Sequence, residues 1–144
     1  AERRKRFDVL ARLARRRGHL VALSGDATQA RCWGADAAYG PARLLGGGPA
    51  LPRLVTAHSL RELGMAHRAR ADTVLLSPVF PTRSHPGAAS LGPLRFRLIA
   101  AHSLVPVIAL GGMIPRSARR CKAAAWAAVD GLCDEATRLI PKDS

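Results

Sequence analysis

The chain has 144 residues, 48% apolar and 23% charged, which is the size of one ordinary domain with enough apolar surface for a core. Basic residues outnumber acidic ones 23 to 10, for a formal charge of +13, and aromatics are only 4%, so Ala, Leu and Val must build the core. A mean hydropathy of +0.01 argues against extended disorder, and no run of roughly 18 apolar residues marks a membrane-spanning helix. The start, Ala1-Glu2-Arg3-Arg4-Lys5-Arg6, has no apolar run behind it and does not read as a secretory signal.

The charge invites a nucleic-acid reading. Against it, 20 of the 23 basic residues are Arg beside abundant Ala, a pairing that GC-rich coding produces. Residues 1–17 alone hold eight basic and two acidic residues. No zinc-ligand spacing, aromatic RNA-binding motif or helix-turn-helix accompanies them. A basic site for small anions is the better expectation, with no nucleic-acid or membrane partner and a homo-oligomer left open. Cys32, Cys121 and Cys133 are odd in number and form no C-x-x-C, so they read as small buried hydrophobes in a reducing cytoplasm.

Residues 2–17 read as an amphipathic helix with Phe7, Leu10, Ala11 and Ala14 on one face and Gly18 as its stop. Residues 19–24 read as a strand, Gly25-Asp26 as a turn, Ala27–Cys32 as a short helix and Ala35–Tyr39 as a strand. Residues 40–52 are punctuated by Gly and Pro and read as loop. Leu54–Ala57 reads as a strand. The Ser59-Leu60-Arg61-Glu62 capping box then opens a helix to about Arg70. Thr73–Ser77 is the next strand, followed by a loop over 78–92 and a helix from Pro93 to about His102. Val105–Leu110 reads as a strand buried on both faces. Pro115 starts a helix to about Ala124, Trp126–Val129 is a short strand and Cys133–Ile140 a last helix. Alternation of roughly six strands with five or six helices predicts one α/β domain over residues 1–144 with a parallel sheet.

In such folds the working residues sit after the carboxyl ends of strands. Gly111-Gly112 follows a strand and precedes a helix, so its amides suit a phosphate, or make a tight turn without a ligand. Thr82, Arg83, Ser84 and His85 could donate to phosphate oxygens or form a solvated loop. Alternation points Thr56 and His58 the same way, His58 as proton donor, phosphate ligand or structural group. Asp26 could coordinate Mg²⁺, but a helix N-cap is the favoured reading.

In order, these segments resemble the thiamine phosphate synthase family and its thiazole tautomerase-like relatives. Ala35-Asp36-Ala37-Ala38-Tyr39 resembles the family's A-D-G-V-H. Thr56-Ala57-His58 with Glu62 resembles S-x-H-x-x-x-E. Ala71-Asp72-Thr73-Val74 and Ser77-Pro78-Val79-Phe80-Pro81-Thr82 resemble A-D-Y-V and G-P-V-F-x-T. Val105–Met113 resembles I-P-V-V-A-I-G-G-I. The resemblance covers roughly residues 19–132.

It implies a TIM-type (β/α)₈ barrel with about six of eight strands in this chain. It also implies a cytoplasmic transferase of thiamine biosynthesis. Such an enzyme joins a hydroxymethylpyrimidine pyrophosphate to a thiazole phosphate with Mg²⁺ and releases pyrophosphate. Thr82, Ser84, Gly111 and Gly112 would hold the thiazole phosphate, with Thr56 and His58 near the pyrophosphate; His85 as a further phosphate ligand and Asp26 as a metal ligand are candidates from the residues themselves. A barrel of the same family that binds phosphate without turnover is the alternative.

The chain also departs from the pattern. Ser24-Gly25-Asp26 stands where the family has Asn-Asp, and no G-Q-x-D follows Tyr39. His85 replaces a Lys, and Asp130 replaces a small hydroxyl residue. A whole barrel needs ~200 residues or more, so the chain reads as a fragment of a longer domain. Replacing Gly111 with Val is expected to block phosphate and leave the fold mostly intact.

Overall fold

The computed structural model describes residues 2–82, 87 and 89–129. The first helix, α1, spans Glu2–Arg16. Phe7 and Ala11 are its buried residues, and Phe7 packs 5.6 Å from the Trp33 ring. The expected apolar face is therefore narrower, because Leu10 is 55% exposed. Strand β1 is Ala22–Ser24, shorter than expected, and Leu20 is exposed. Helix α2, Ala27–Trp33, starts on the Asp26 carboxylate, which accepts from the Gln29 amide at 2.7 Å. It ends on Gly34 in the left-handed conformation.

Strand β2 is Ala37–Pro41, shifted two residues from the expected span. The segment expected as loop contains one helical turn, α3, Ala42–Leu45. Leu45 is wholly buried there, so tertiary packing orders a turn that the surrounding Gly and Pro residues hide.

Strand β3 is Arg53–Ala57 and helix α4 is Leu60–Arg68. The Ser59 hydroxyl accepts from the Glu62 amide at 3.2 Å. Glu62 reaches back as expected, but to the His58 amide at 2.9 Å. Strand β4 is Thr73–Leu76 and α5 is Gly92–Ala100, with Pro93 in its first turn. Strand β5 is Val107–Ala109, α6 is Pro115–Cys121 and β6 is Ala125–Trp126. The expected helix over Cys133–Ile140 lies outside the described residues.

The six strands form one parallel sheet in chain order, β1-β2-β3-β4-β5-β6. Helices cover one face, where Leu23, Ala38, Val55, Val74, Leu76 and Ala109 form the core with Leu63, Ala66 and Phe96. The other face carries Tyr39, Leu54, Thr56 and Ile108, all half-buried. Among the described residues β1 and β6 are free edges, so the sheet is not closed. The strand expected to be buried on both faces is thereby corrected. Only Ala109 of β5 is buried, because nothing described covers Ile108, and Val107 borders a groove with Phe96 and Ala123.

Two Ala-Asp pairs brace the strand starts in the same way. Asp36 takes the Val21 amide at 2.8 Å, and its own amide donates to the Val21 carbonyl at 2.8 Å. Asp72 takes the Arg53 amide at 2.8 Å and donates back to the Arg53 carbonyl at 3.0 Å. Each carboxylate locks one strand against its predecessor, so these Asp residues have a structural role. Of the cysteines, Cys121 is buried as expected, whereas Cys32 is exposed on α2. Cys133 is outside the described residues. No described helix is long and apolar enough to cross a membrane.

Candidate functional site

Parallel pairing sets Thr56 opposite Leu75 and Ala57 opposite Leu76. The next residues, His58 and Ser77, meet where the two strands end. His58 Nδ1 lies 2.7 Å from the Ser77 carbonyl oxygen and 3.3 Å from the Ser77 hydroxyl. His58 is exposed, Thr56 is half-buried and Ser77 is buried. The capping contact from Glu62 holds the His58 backbone from the other side.

The two loops that follow β4 and β5 are laced together. The Val79 amide donates to the Leu110 carbonyl at 2.9 Å, and the Phe80 amide to the Gly111 carbonyl at 3.0 Å. Below them the Leu110 amide donates to the Leu76 carbonyl at 3.1 Å. Gly111 and Gly112 have φ of 94° and 61°, a region open to glycine. They also allow close approach. A Cβ on Gly111 would stand 2.7 Å from Pro78 Cα, and one on Gly112 would stand 2.7 Å from the Pro81 carbonyl oxygen. The Gly111 and Gly112 amides themselves donate to no acceptor among the described residues. The turn packs tightly, as one of the two readings of the sequence has it.

Ser117 steadies the exit of the turn. Its hydroxyl accepts from the Ile114 amide at 2.8 Å and reaches the Ile114 and Gly112 carbonyls at 3.0 and 3.3 Å. The Arg120 guanidinium lies over the Phe80 ring, 5.7 Å from its centre. Sequence reasoning missed Arg120. It lies late in α6, and only the fold brings it to the loop after β4.

Thr56 and His58 lie at the end of β3 and Gly111 and Gly112 follow β5, the strands on either side of β4. Thr82 is half-buried on the Pro-rich loop after β4. Ser84 and His85, expected as phosphate ligands, lie outside the described residues, as does Asp130. Asp26 stands apart, after the edge strand β1, and works as the α2 cap. Among the described residues no three His, Cys, Asp or Glu side chains group as a metal site. Asp26, the candidate from sequence, has one carboxylate oxygen engaged in the cap. Mg²⁺ commonly takes one or two carboxylates plus substrate phosphates, so Asp26 fits only a site that the substrate completes.

The capping role of Asp26 gives a prediction of its own. Asp26→Asn keeps an N-cap and should change stability by no more than about 0.5 kcal/mol, whereas Asp26→Ala should cost about 1 kcal/mol. Urea melts of both variants check this.

Residues 53–132, from β3 through β6 and both laced loops, match the family model described as thiamine monophosphate synthase. The chain belongs to this family. The "Putative thiamine-phosphate synthase 2" of Aquifex aeolicus (strain VF5) is 36% identical over 66 residues, covering 46% of this chain and 36% of that protein. The solved thiamine phosphate pyrophosphorylase from Pyrococcus furiosus superposes with a TM-score of 0.71 at 26% identity. That alignment covers 89% of this chain and 65% of the Pyrococcus chain. The six-stranded parallel sheet is thus of the TIM-barrel type seen in thiamine phosphate synthases, and the chain spans less than two thirds of either relative.

Proposed function

We propose that the chain provides the thiazole-phosphate side of a thiamine phosphate synthase in cytoplasmic thiamine biosynthesis. The reaction would couple a hydroxymethylpyrimidine pyrophosphate to a thiazole phosphate and release pyrophosphate. The observation that carries this reading is the laced pair of loops after β4 and β5, in which the Gly111 and Gly112 amides donate to no acceptor among the described residues. Backbone amides in this arrangement suit phosphate oxygens, and Thr82 would add a hydroxyl on the same side. Ser84 and His85 would complete the set. Thr56 and His58 would border the pyrophosphate. Loss of pyrophosphate from a carbocation-like centre asks for charge neutralisation and positioning, and no protein nucleophile. Mg²⁺ would neutralise charge on the pyrophosphate, with Asp26 as the ligand from this chain.

Isothermal titration with thiazole phosphate tests the binding half. Thr82→Val should weaken that binding about tenfold or more, the cost of losing a hydrogen bond to a charged group. Unchanged affinity would remove Thr82 from the site.

A second reading is a family barrel that binds phosphate without turnover. It is favoured by the isolation of Asp26, whose carboxylate already caps α2 and has no acidic neighbour grouped with it among the described residues. Incubation with both substrates and Mg²⁺ separates the two. Thiamine phosphate formation supports the first, and tight thiazole phosphate binding without product supports the second.

A further inference from the structure

The contact between His58 and Ser77 fixes which ring nitrogen faces a ligand. A carbonyl oxygen accepts hydrogen bonds and never donates them. The 2.7 Å approach of His58 Nδ1 to the Ser77 carbonyl therefore places the proton of the neutral ring on Nδ1. Nε2 is left with a lone pair. Glu62 Oε2 holds the His58 amide at 2.9 Å, and Ser59 caps the same turn through Glu62. Ser77 is 8% exposed, so the carbonyl that accepts from Nδ1 belongs to a well-packed residue, while His58 itself reaches solvent.

We propose that His58 is the proton-accepting group of this site, acting through Nε2, and that Ser77 is its positioning residue. This rests on the reading above that the strand ends hold a phosphorylated ligand. It differs from the proton donor that sequence offered, and it admits phosphate as a partner of the neutral ring only through a proton on the phosphate. A neutral His58 of this tautomer meets a fully ionised phosphate oxygen lone pair to lone pair, which is unfavourable. The ligand atom facing Nε2 must instead carry a proton, as a hydroxyl, an amino group or a singly protonated phosphate does. The Ser77 hydroxyl is this chain's departure from the glycine of G-P-V-F. At 3.3 Å it is the weaker partner of Nδ1, and the carbonyl, which glycine would also supply, sets the tautomer.

The test is a two-bond ¹H–¹⁵N spectrum of the imidazole rings in the full chain, above the titration of histidine. His58 should show a protonated Nδ1 and an unprotonated Nε2. Ser77→Gly should retain that pattern, because it keeps the carbonyl. An Nε2–H ring, an equal mixture of tautomers, or loss of the pattern in Ser77→Gly would overturn the assignment. Inorganic phosphate is then added at constant pH. The expected result is movement of the His58 Nε2 resonance toward the protonated position together with shifts of the Gly111 and Gly112 amides. Shifted glycine amides beside a silent Nε2 overturn this proposal alone. Silence at both overturns the phosphate site and the proposal with it.

Discussion

Gly111→Val should destabilise the chain by roughly 3–5 kcal/mol, combining backbone strain at positive φ with overpacking against a neighbour. The strain follows from φ of 94°. The overpacking follows from a Cβ position 2.7 Å from Pro78 Cα and 2.8 Å from Pro78 Cβ, in a loop tied by the Val79 and Phe80 hydrogen bonds. Backbone cannot yield there as a flexible side-chain tip could. This corrects the expectation that the substitution would spare the fold. Loss of phosphate binding in Gly111→Val would therefore say little about the ligand. Gly47→Ala is the control, since nothing lies within 4 Å of the added Cβ. It should leave stability unchanged or raise it by up to about 1 kcal/mol. Denaturant melts of the two variants measure the contrast.

Leu76→Ala should cost about 3 kcal/mol, within the range for removing a buried Leu side chain. Leu76 is wholly buried on β4, opposite Ala57 on β3 and Ala109 on β5. These are the strands whose ends carry the site, so the cavity would loosen its support. Domains of this size hold only about 5–15 kcal/mol of net stability. The variant should therefore unfold at markedly lower urea concentration. Leu98→Ala, at a 58% exposed position on α5, should stay within about 0.5 kcal/mol of the parent.

The alternation of helix and strand was legible because most described strands hold a short apolar run and helices α2, α4, α5 and α6 have local start signals. Asp26, Ser59 and Pro93 mark helix starts in the structure as their chemistry suggests. Strand ends were less legible. His19 and Leu20 continue the apolar run of β1, yet pairing begins only at Ala22, opposite Ala37. The single turn of α3 depends on the burial of Leu45, which no local pattern encodes. Leu10 has helical spacing with Phe7 but lies mostly in solvent, because only the narrower Phe7–Ala11 face meets the sheet layer.

Of the candidate site, the glycine turn was legible in sequence and the contacts around it were less so. Gly111 and Gly112 stood out by position after a strand. Their second role, letting the loop pack on Pro78 and Phe80, required three-dimensional contact. Arg120 lies eight residues beyond Gly112, and nothing local ties it to Phe80. The Ala-Asp pairs that carried part of the family resemblance turned out to brace strand starts, at the opposite end of the strands from His58, Gly111 and Gly112.

The most direct measurement is amide chemical-shift mapping during titration with thiazole phosphate, beside the unphosphorylated thiazole alcohol. The account predicts that the Gly111 and Gly112 amides move most with the phosphate and stay still with the alcohol. Largest shifts elsewhere, or equal responses to both compounds, would contradict it.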